Sequence, residues 1–175
     1  MQEFIIKIDQ REKKPWFTGL NQTHSKKTSI RYARNETADY TILGGEDEIA
    51  IERKTLIDML GTLSLAKDDA WNRKRDRFEN EIRRMQGIRQ TFIVVEAPLE
   101  RVLQTGLAIK GQISKILLLR AIIRLKRKYP RTRWYFAANR EHAEMIGFML
   151  LWKAYQQINK EAICCQNNSK KKFCD

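Results

Sequence analysis

Proline, glycine, histidine and cysteine are all scarce in this chain of 175 residues: three Pro, eight Gly, two His and three Cys. So little proline and glycine excludes a collagen-like repeat or a low-complexity chain. The cysteines, Cys164, Cys165 and Cys174, are odd in number and confined to the last dozen residues, which excludes a disulfide framework as the support of the fold. Neither His24 nor His142 stands at ligand spacing from those thiols, so no zinc site is expected. Long apolar runs are missing too. The stretches Ile116 to Leu119 and Ala121 to Ile123 are split by Arg120, and nothing approaches the roughly 20 residues that span a bilayer. The start, Met1-Gln2-Glu3-Phe4, lacks the basic and apolar regions of a secretory signal. The chain is therefore expected in the cytoplasm, associated with the nucleoid, or in the nucleus, and neither secreted nor in a membrane.

Acidic charge is the last shortage. Twenty-one Asp and Glu face 34 Lys and Arg, leaving +13 and a sequence pI near 9.9, the footprint of a protein that meets polyanions, nucleic acid first. A mass of 20.7 kDa with 42% hydrophobic residues fits a single globular domain.

The pattern along the chain alternates between periods of two and of 3.6. Glu3 to Asp9 and Thr28 to Arg34 read as strands, and Asp39 to Leu43 and Glu48 to Arg53 as a hairpin about Gly44-Gly45-Glu46-Asp47. From Thr55 the spacing turns helical behind a Thr55-x-x-Asp58 capping box, and residues 67 to 86 read as a long charged helix with Trp71, Phe78, Ile82 and Met85 as inner anchors. Thr91 to Glu96 is the best buried strand, followed by a helical turn at Leu99 to Gln104. A helix over 112–129 stopped by Pro130, a strand from Thr132 to Ala137, and a last helix capped by Asn139 and running to about Ile158 complete the order. That order predicts a mixed α/β sheet flanked by helices, its late strands parallel through right-handed crossovers. Residues 1–160 are expected to form the domain and 161–175 a basic, flexible tail.

The chemistry concentrates at the hairpin. Asp39 enters its first strand and Glu52-Arg53-Lys54 leaves its second, so pairing about the glycines brings two carboxylates towards one end, within reach of a shared magnesium or manganese ion. Positions 52 and 54 share a face because side chains alternate along a strand, which aims Lys54 at whatever Glu52 holds. A metal beside an ammonium group is the minimum apparatus for phosphodiester hydrolysis. Taken alone, an E-x-K triplet is more often a solvated strand than a site.

These residues resemble the XPF-type nuclease family, a branch of the PD-(D/E)xK restriction-endonuclease-like superfamily, whose pattern runs Gly-Asp, a variable hairpin, Glu-Arg-Lys, three residues and Asp. Here the run is Ala38-Asp39-Tyr40, then Ile51-Glu52-Arg53-Lys54-Thr55-Leu56-Ile57-Asp58. Ala38 departs from the family glycine, which touches backbone geometry and leaves the ligand in place. Ile8-Asp9-Gln10-Arg11-Glu12, Phe92 to Glu96 and Asn139 to Gln156 are similar to the family's first strand, the strand after its long helix and its last helix, so the likeness covers about residues 3–158. It implies a restriction-endonuclease-like fold, Asp39 and Glu52 as metal ligands, Lys54 as the catalytic lysine, and Asp9 as a further candidate at the metal, directly or through water. Arg53, on the opposite face, is expected to organise the site or to pair with Asp58, and Glu96 to be a satisfied strand-end carboxylate. One of Arg73, Arg75 and Arg77, ahead of Phe78, would touch the scissile phosphate, Arg75 or Arg77 being favoured.

Between Lys110 and Arg133 stand nine Lys or Arg and no Asp or Glu. One-sided charge of that density is unlike an ordinary solvated face. Arg120, Arg124, Arg127 and Lys128 are expected to form a phosphate-tracking surface opposite Ile113, Ile116, Leu117 and Ile123. The last helix is apolar over more width than a single face needs, at Met145, Ile146, Phe148, Met149, Leu150, Leu151, Trp152 and Tyr155; the resemblance reads this as a homodimer interface, composition alone as core. The resulting expectation is a magnesium-dependent DNA endonuclease, manganese substituting, acting on branched or flap-like DNA in repair, recombination or replication. Another PD-(D/E)xK nuclease, exonuclease or junction resolvase, and a non-catalytic DNA-binding subunit are the alternatives. The family's specificity leans on a downstream tandem helix-hairpin-helix domain, so this chain is expected to work as a minimal enzyme or to borrow specificity from a protein partner.

Overall fold

The computed structural model describes residues 3–19, 28–63, 69–108 and 115–171, and these form six strands and five helices. The strands are β1 (Phe4–Asp9), β2 (Thr28–Ala33), β3 (Tyr40–Ile42), β4 (Ile49–Lys54), β5 (Gln90–Val95) and β6 (Thr132–Phe136). They make one mixed sheet in the order β2-β1-β3-β4-β5-β6. β3 runs antiparallel to both β1 and β4, with Tyr40 opposite Ile51, whereas β4, β5 and β6 are parallel. A parallel pair cannot be closed by a tight turn, so helices fill the crossovers: α1 (Leu56–Leu63) and α2 (Asp69–Met85) between β4 and β5, α3 (Leu99–Ala108) and α4 (Lys115–Lys128) between β5 and β6. The final helix, α5, spans Arg140–Lys171.

Alternation along the central strands sorts the side chains onto two cores. Phe4, Ile6 and Ile8 of β1, Ile49 and Ile51 of β4, and Phe92 and Val94 of β5 pack under α5 with Leu151 and Ala154. Ile93 and Val95 face the other way, onto Met59 and Leu60 of α1, Phe78 and Ile82 of α2, and Leu118, Ile122 and Leu125 of α4. Each such side chain contributes about 1.5–3 kcal/mol by leaving water, and Ala50, on the second face of β4, packs in a smaller cluster with Ala38, Met85 and Ile88. The hairpin turn forms where expected, with Gly44 at φ 78°, a conformation that a side chain would strain.

Several elements differ from their sequence expectations. α3 is a ten-residue helix rather than a turn. α5 continues to Lys171 instead of ending near Ile158, so the polar segment after residue 160 begins as helix, with Glu161 paired to Arg89 at 2.8 Å. On α4 the buried stripe is Leu118, Ile122 and Leu125, while Ile116 (61% exposed), Leu117, Leu119 and Ile123 (45%) remain at the surface. Apolar residues lie on nearly every side of Lys115 to Leu125, so periodicity alone could not choose the inner one; packing against α1, α3 and β6 does. Ile113, residues 64–68 and the side chain of Trp71 lie outside the described residues.

Candidate metal site and basic surface

The site is built where β3 begins and β4 ends. Ala38, 3% exposed, takes φ 62°, the left-handed turn that explains why glycine suits this position. Asp39 then joins two strands: its N–H donates to Ile51 O (3.0 Å) and its carbonyl accepts from Asp9 N (2.8 Å). Its carboxylate accepts the Arg53 N–H at 2.8 Å, placing it against the peptide that follows Glu52. Glu52, 4% exposed, accepts from Lys54 Nζ at 2.5 Å, and that ammonium lies 4.6 Å from the centre of the Phe78 ring. The expected triad of Asp39, Glu52 and Lys54 is thus assembled on the α1–α2 face of β4.

Its electrostatics follow from crowding. Burial and then the charge of Glu52 push the Asp39 carboxyl well above the usual range, and burial raises Glu52 as well, although Lys54 works against it. Burial by itself would lower Lys54, but the Glu52 charge and hydrogen bond outweigh it and hold the amine protonated. Two buried carboxylates that repel each other, relieved by a single ammonium, make a place for a further cation. Among the described residues no group of three or more His, Cys, Asp or Glu forms a protein cage for a metal. That donor set fits magnesium, which is commonly held by one or two carboxylates and completed by water and substrate phosphate.

Asp9 is engaged elsewhere. It is 2% exposed, and its carboxylate accepts from Arg11 N (2.7 Å), Arg11 Nε (2.8 Å), Arg11 Nη2 (2.7 Å) and Asn35 N (3.0 Å). Burial alone would raise its pKa, but these bonds win and hold it at about 2. Arg53 does not pair with Asp58. Alternation sends its side chain to the α5 face, where it meets Glu96 at 2.8 and 3.2 Å and Glu12 at 3.1 Å. Asp58 is instead taken up in the cap of α1: Thr55 Oγ1 accepts from Asp58 N at 3.1 Å and donates to the Asp58 carboxylate at 2.6 Å. Glu96 is a satisfied carboxylate, as expected, accepting also from Trp16 Nε1 (2.8 Å) and Arg140 Nη1 (3.0 Å).

Two acids not singled out in the sequence belong to these surroundings. The charge of Glu12 bears on both Asp39 and Glu52, and that of Glu81 on Glu52 and Lys54. Glu12 closes the Asp9-Gln10-Arg11-Glu12 run, which is its sequence signal; Glu81 lies three residues past Phe78 on α2 and becomes visible only once that helix is laid on the sheet.

Arg73 and Arg77 are exposed on α2, whereas Arg75 is half-buried and donates to Asn72 Oδ1 at 2.9 Å. Arg120, Arg124, Arg127 and Lys128 gather around one surface groove of α4 together with Ile123. Lys128 and Arg124 also pair with Glu79 of α2, so two of these four cations are partly neutralised within the chain. Cys164 is exposed and free. Cys165 and Cys174 lie outside the described side chains, and among the described residues no helix is long and apolar enough to cross a membrane.

Three comparisons bear on this arrangement. Residues 8–149 match the model of the family described as the ERCC4 domain. In architecture the chain is similar to XPF from Aeropyrum pernix, with a TM-score of 0.57 and 18% identity over 90% of this chain and 68% of that one. Compared by sequence with curated proteins, it matches none.

Proposed function

This chain belongs to the ERCC4 domain family, the nucleases of the XPF type, and from that premise we propose that it is a divalent-metal-dependent DNA endonuclease acting on branched or flap-like DNA. The observation that carries the reading is the joining of Glu52 to Lys54 at 2.5 Å, with Asp39 on the neighbouring peptide at 2.8 Å. Asp39 and Glu52 would hold the ion, magnesium or manganese. Such an ion, when bound, polarises a phosphate and lowers the pKa of coordinated water.

The remaining chemistry belongs to the chain. Lys54, kept protonated by Glu52, donates hydrogen bonds and stabilises negative charge rather than accepting a proton. Its place over Phe78 leaves it little freedom, so it orients water or phosphate at a fixed point. Arg53 holds Asp39 through its backbone. Asp9 is assigned a supporting part, anchoring the first strand and the Asn35 loop beside the pair. The cations of α4, with an arginine of α2, would track phosphates without reading bases. A homodimer through residues 140–158 of α5 is consistent with the exposure of Met145 (56%), Met149 (65%) and Trp152 (36%); a partner protein on that face is the other source of specificity.

The test is magnesium-dependent cleavage of labelled flap, four-way-junction and linear DNA by the wild type, Glu52→Ala and Lys54→Ala. Cutting of the branched substrates by the wild type alone supports the proposal. Binding without cleavage, or variants that cut at the wild-type rate, overturns it. Preferential cutting of linear ends favours an exonuclease.

A further inference from the structure

We propose that Glu96 is a positioning residue for the metal site: through Arg53 it fixes the peptide whose N–H holds the Asp39 carboxylate. The geometry is a chain of short contacts that crosses the sheet. Asp39 Oδ2 accepts from Arg53 N at 2.8 Å on the α1–α2 side. The Arg53 side chain, 7% exposed, leaves on the α5 side and donates from Nε to Glu96 Oε1 (2.8 Å) and from Nη2 to Glu96 Oε2 (3.2 Å). A guanidinium gripped at two nitrogens by one carboxylate has a fixed plane and direction, which a single contact would not give it. Rotation of the Glu52–Arg53 peptide away from Asp39 therefore works against that grip, which limits where the Arg53 Cα can go.

Glu96 is itself immobilised from several directions. Its N–H donates to Lys54 O at 2.9 Å, so its backbone is pinned to the end of the catalytic strand. Its carboxylate, 9% exposed, also takes the indole N–H of Trp16 at 2.8 Å and Arg140 Nη1 at 3.0 Å. Arg140 further donates to the carbonyls of Lys14 (3.0 Å) and Pro15 (2.8 Å), which ties the loop after β1 to the first turn of α5. Trp16 is wedged beside Gly147 of α5, where a Cβ would stand 2.8 Å from its ring. A carboxylate given this many donors stays ionised, and its surplus of hydrogen bonds makes it a fixed post for Arg53 to lean on. A salt bridge serving only to hold β4 to the end of β5 would not need its arginine to be the residue whose amide seats Asp39. Glu12, the second acceptor of Arg53, meets a single nitrogen at 3.1 Å and lacks that bidentate geometry.

What the brace accomplishes rests on Asp39 being a metal ligand, but its existence does not, so the experiment has two readouts. Hydrogen exchange of the metal-free Glu96→Gln protein reports the brace directly. Exchange at the Arg53 amide is expected to rise about tenfold or more while the amides of β5 keep their protection. Calorimetric titration with magnesium, without DNA, reports the consequence, and half-saturation is expected to move up roughly 10- to 100-fold, the usual effect of losing a partner of a metal ligand. Unchanged exchange at Arg53, or exchange raised alike across the sheet, overturns the proposal, as does an unchanged magnesium isotherm alongside a loosened Arg53 amide. Should wild type bind no magnesium at all, the nuclease reading fails and the exchange pattern alone decides the brace. If Glu96→Gln does not fold, Glu96→Asp, which keeps the charge but shortens the reach, is judged by the same measurements.

Discussion

Replacing Asp39 by Asn is expected to make the metal-free protein more stable while abolishing its response to magnesium. Asp39 is a carboxyl whose pKa is raised in the fold, by burial first and by Glu52 second. A raised acid pKa means that the folded state binds its proton more tightly than the unfolded one, so the charged form weakens the fold at neutral pH. Moving a charged group into such surroundings costs several kcal/mol, and the Arg53 N–H returns about 1.5–3 kcal/mol as a hydrogen bond to a charge. An Asn side chain keeps an acceptor for that N–H and removes the repulsion. A net gain of about 2 kcal/mol corresponds to a rise in Tm of roughly 4–8 °C for a domain of this size. Thermal melts in EDTA at pH 7.5 measure it. The linkage fixes the pH dependence too: the cost is absent below the unfolded pKa of about 3.9, so the advantage of Asp39→Asn should shrink as pH falls towards 4. Magnesium should raise the wild-type Tm and leave that of the variant in place. A variant that melts no higher than wild type in EDTA, or whose advantage persists undiminished at pH 4, would refute the picture of a strained carboxylate pair.

Asp9→Asn tests the opposite sign. The folded pKa of Asp9 is depressed to about 2, so its stabilisation is present above the unfolded value near 3.9 and is lost as pH falls through about 2. Arg11 is more than half exposed, which reduces the effect to about 1–2 kcal/mol; urea melts at pH 7 should show that loss, and the two proteins should converge near pH 2. Gly147→Ala places a methyl group 2.8 Å from the Trp16 ring and should cost about 1–3 kcal/mol by overpacking, seen as a lower Tm; an unchanged Tm would show that the wedge is loose. Arg120→Ala and Arg127→Ala should weaken DNA binding alike for all sequences and each lower the slope of log K against log salt by about 1, measured by fluorescence anisotropy from 50 to 200 mM salt. The cations paired with Glu79, Arg124 and Lys128, should change that slope less.

Much of the sheet was legible because its strands carry unambiguous signals. Phe92 to Val95 has the β-branched density of a strand buried on both faces, and Gly44 and Gly45 mark a hairpin by their conformational freedom. The helices were read less well where periodicity was degenerate. Apolar residues surround the first half of α4, and only its neighbours decide that Leu118, Ile122 and Leu125 turn inward. The end of α5 was misplaced because a polar, lysine-rich sequence argues against burial but not against helix; Glu161 continues the helix and is met by Arg89, 72 positions earlier, a pairing that no local window contains.

The candidate site divides along the same line. Glu52 and Lys54 are two apart in sequence, and strand geometry alone puts them on one face, so their contact follows from spacing. Asp39 joins them through the hairpin register, which pairing about Gly44-Gly45 predicts, and the motif added the expectation that the pair holds a metal. Arg53 separates the two kinds of information most clearly. Alternation correctly sends its side chain away from the face of Glu52 and Lys54, but which acid receives it depends on how β5 ends and where α5 begins. Asp58, five residues away, is excluded because α1 lies on the other side of the sheet, whereas Glu96 and Glu12 are 43 and 41 positions distant and arrive on the same side. A single strand residue thus meets Asp39 with its amide and Glu96 with its side chain. The stability of the α5 core and the placement of Asp39 are consequently one problem: whatever loosens Trp16, Arg140 or Glu96 is felt at the carboxylate, although none of them lies on its face of the sheet.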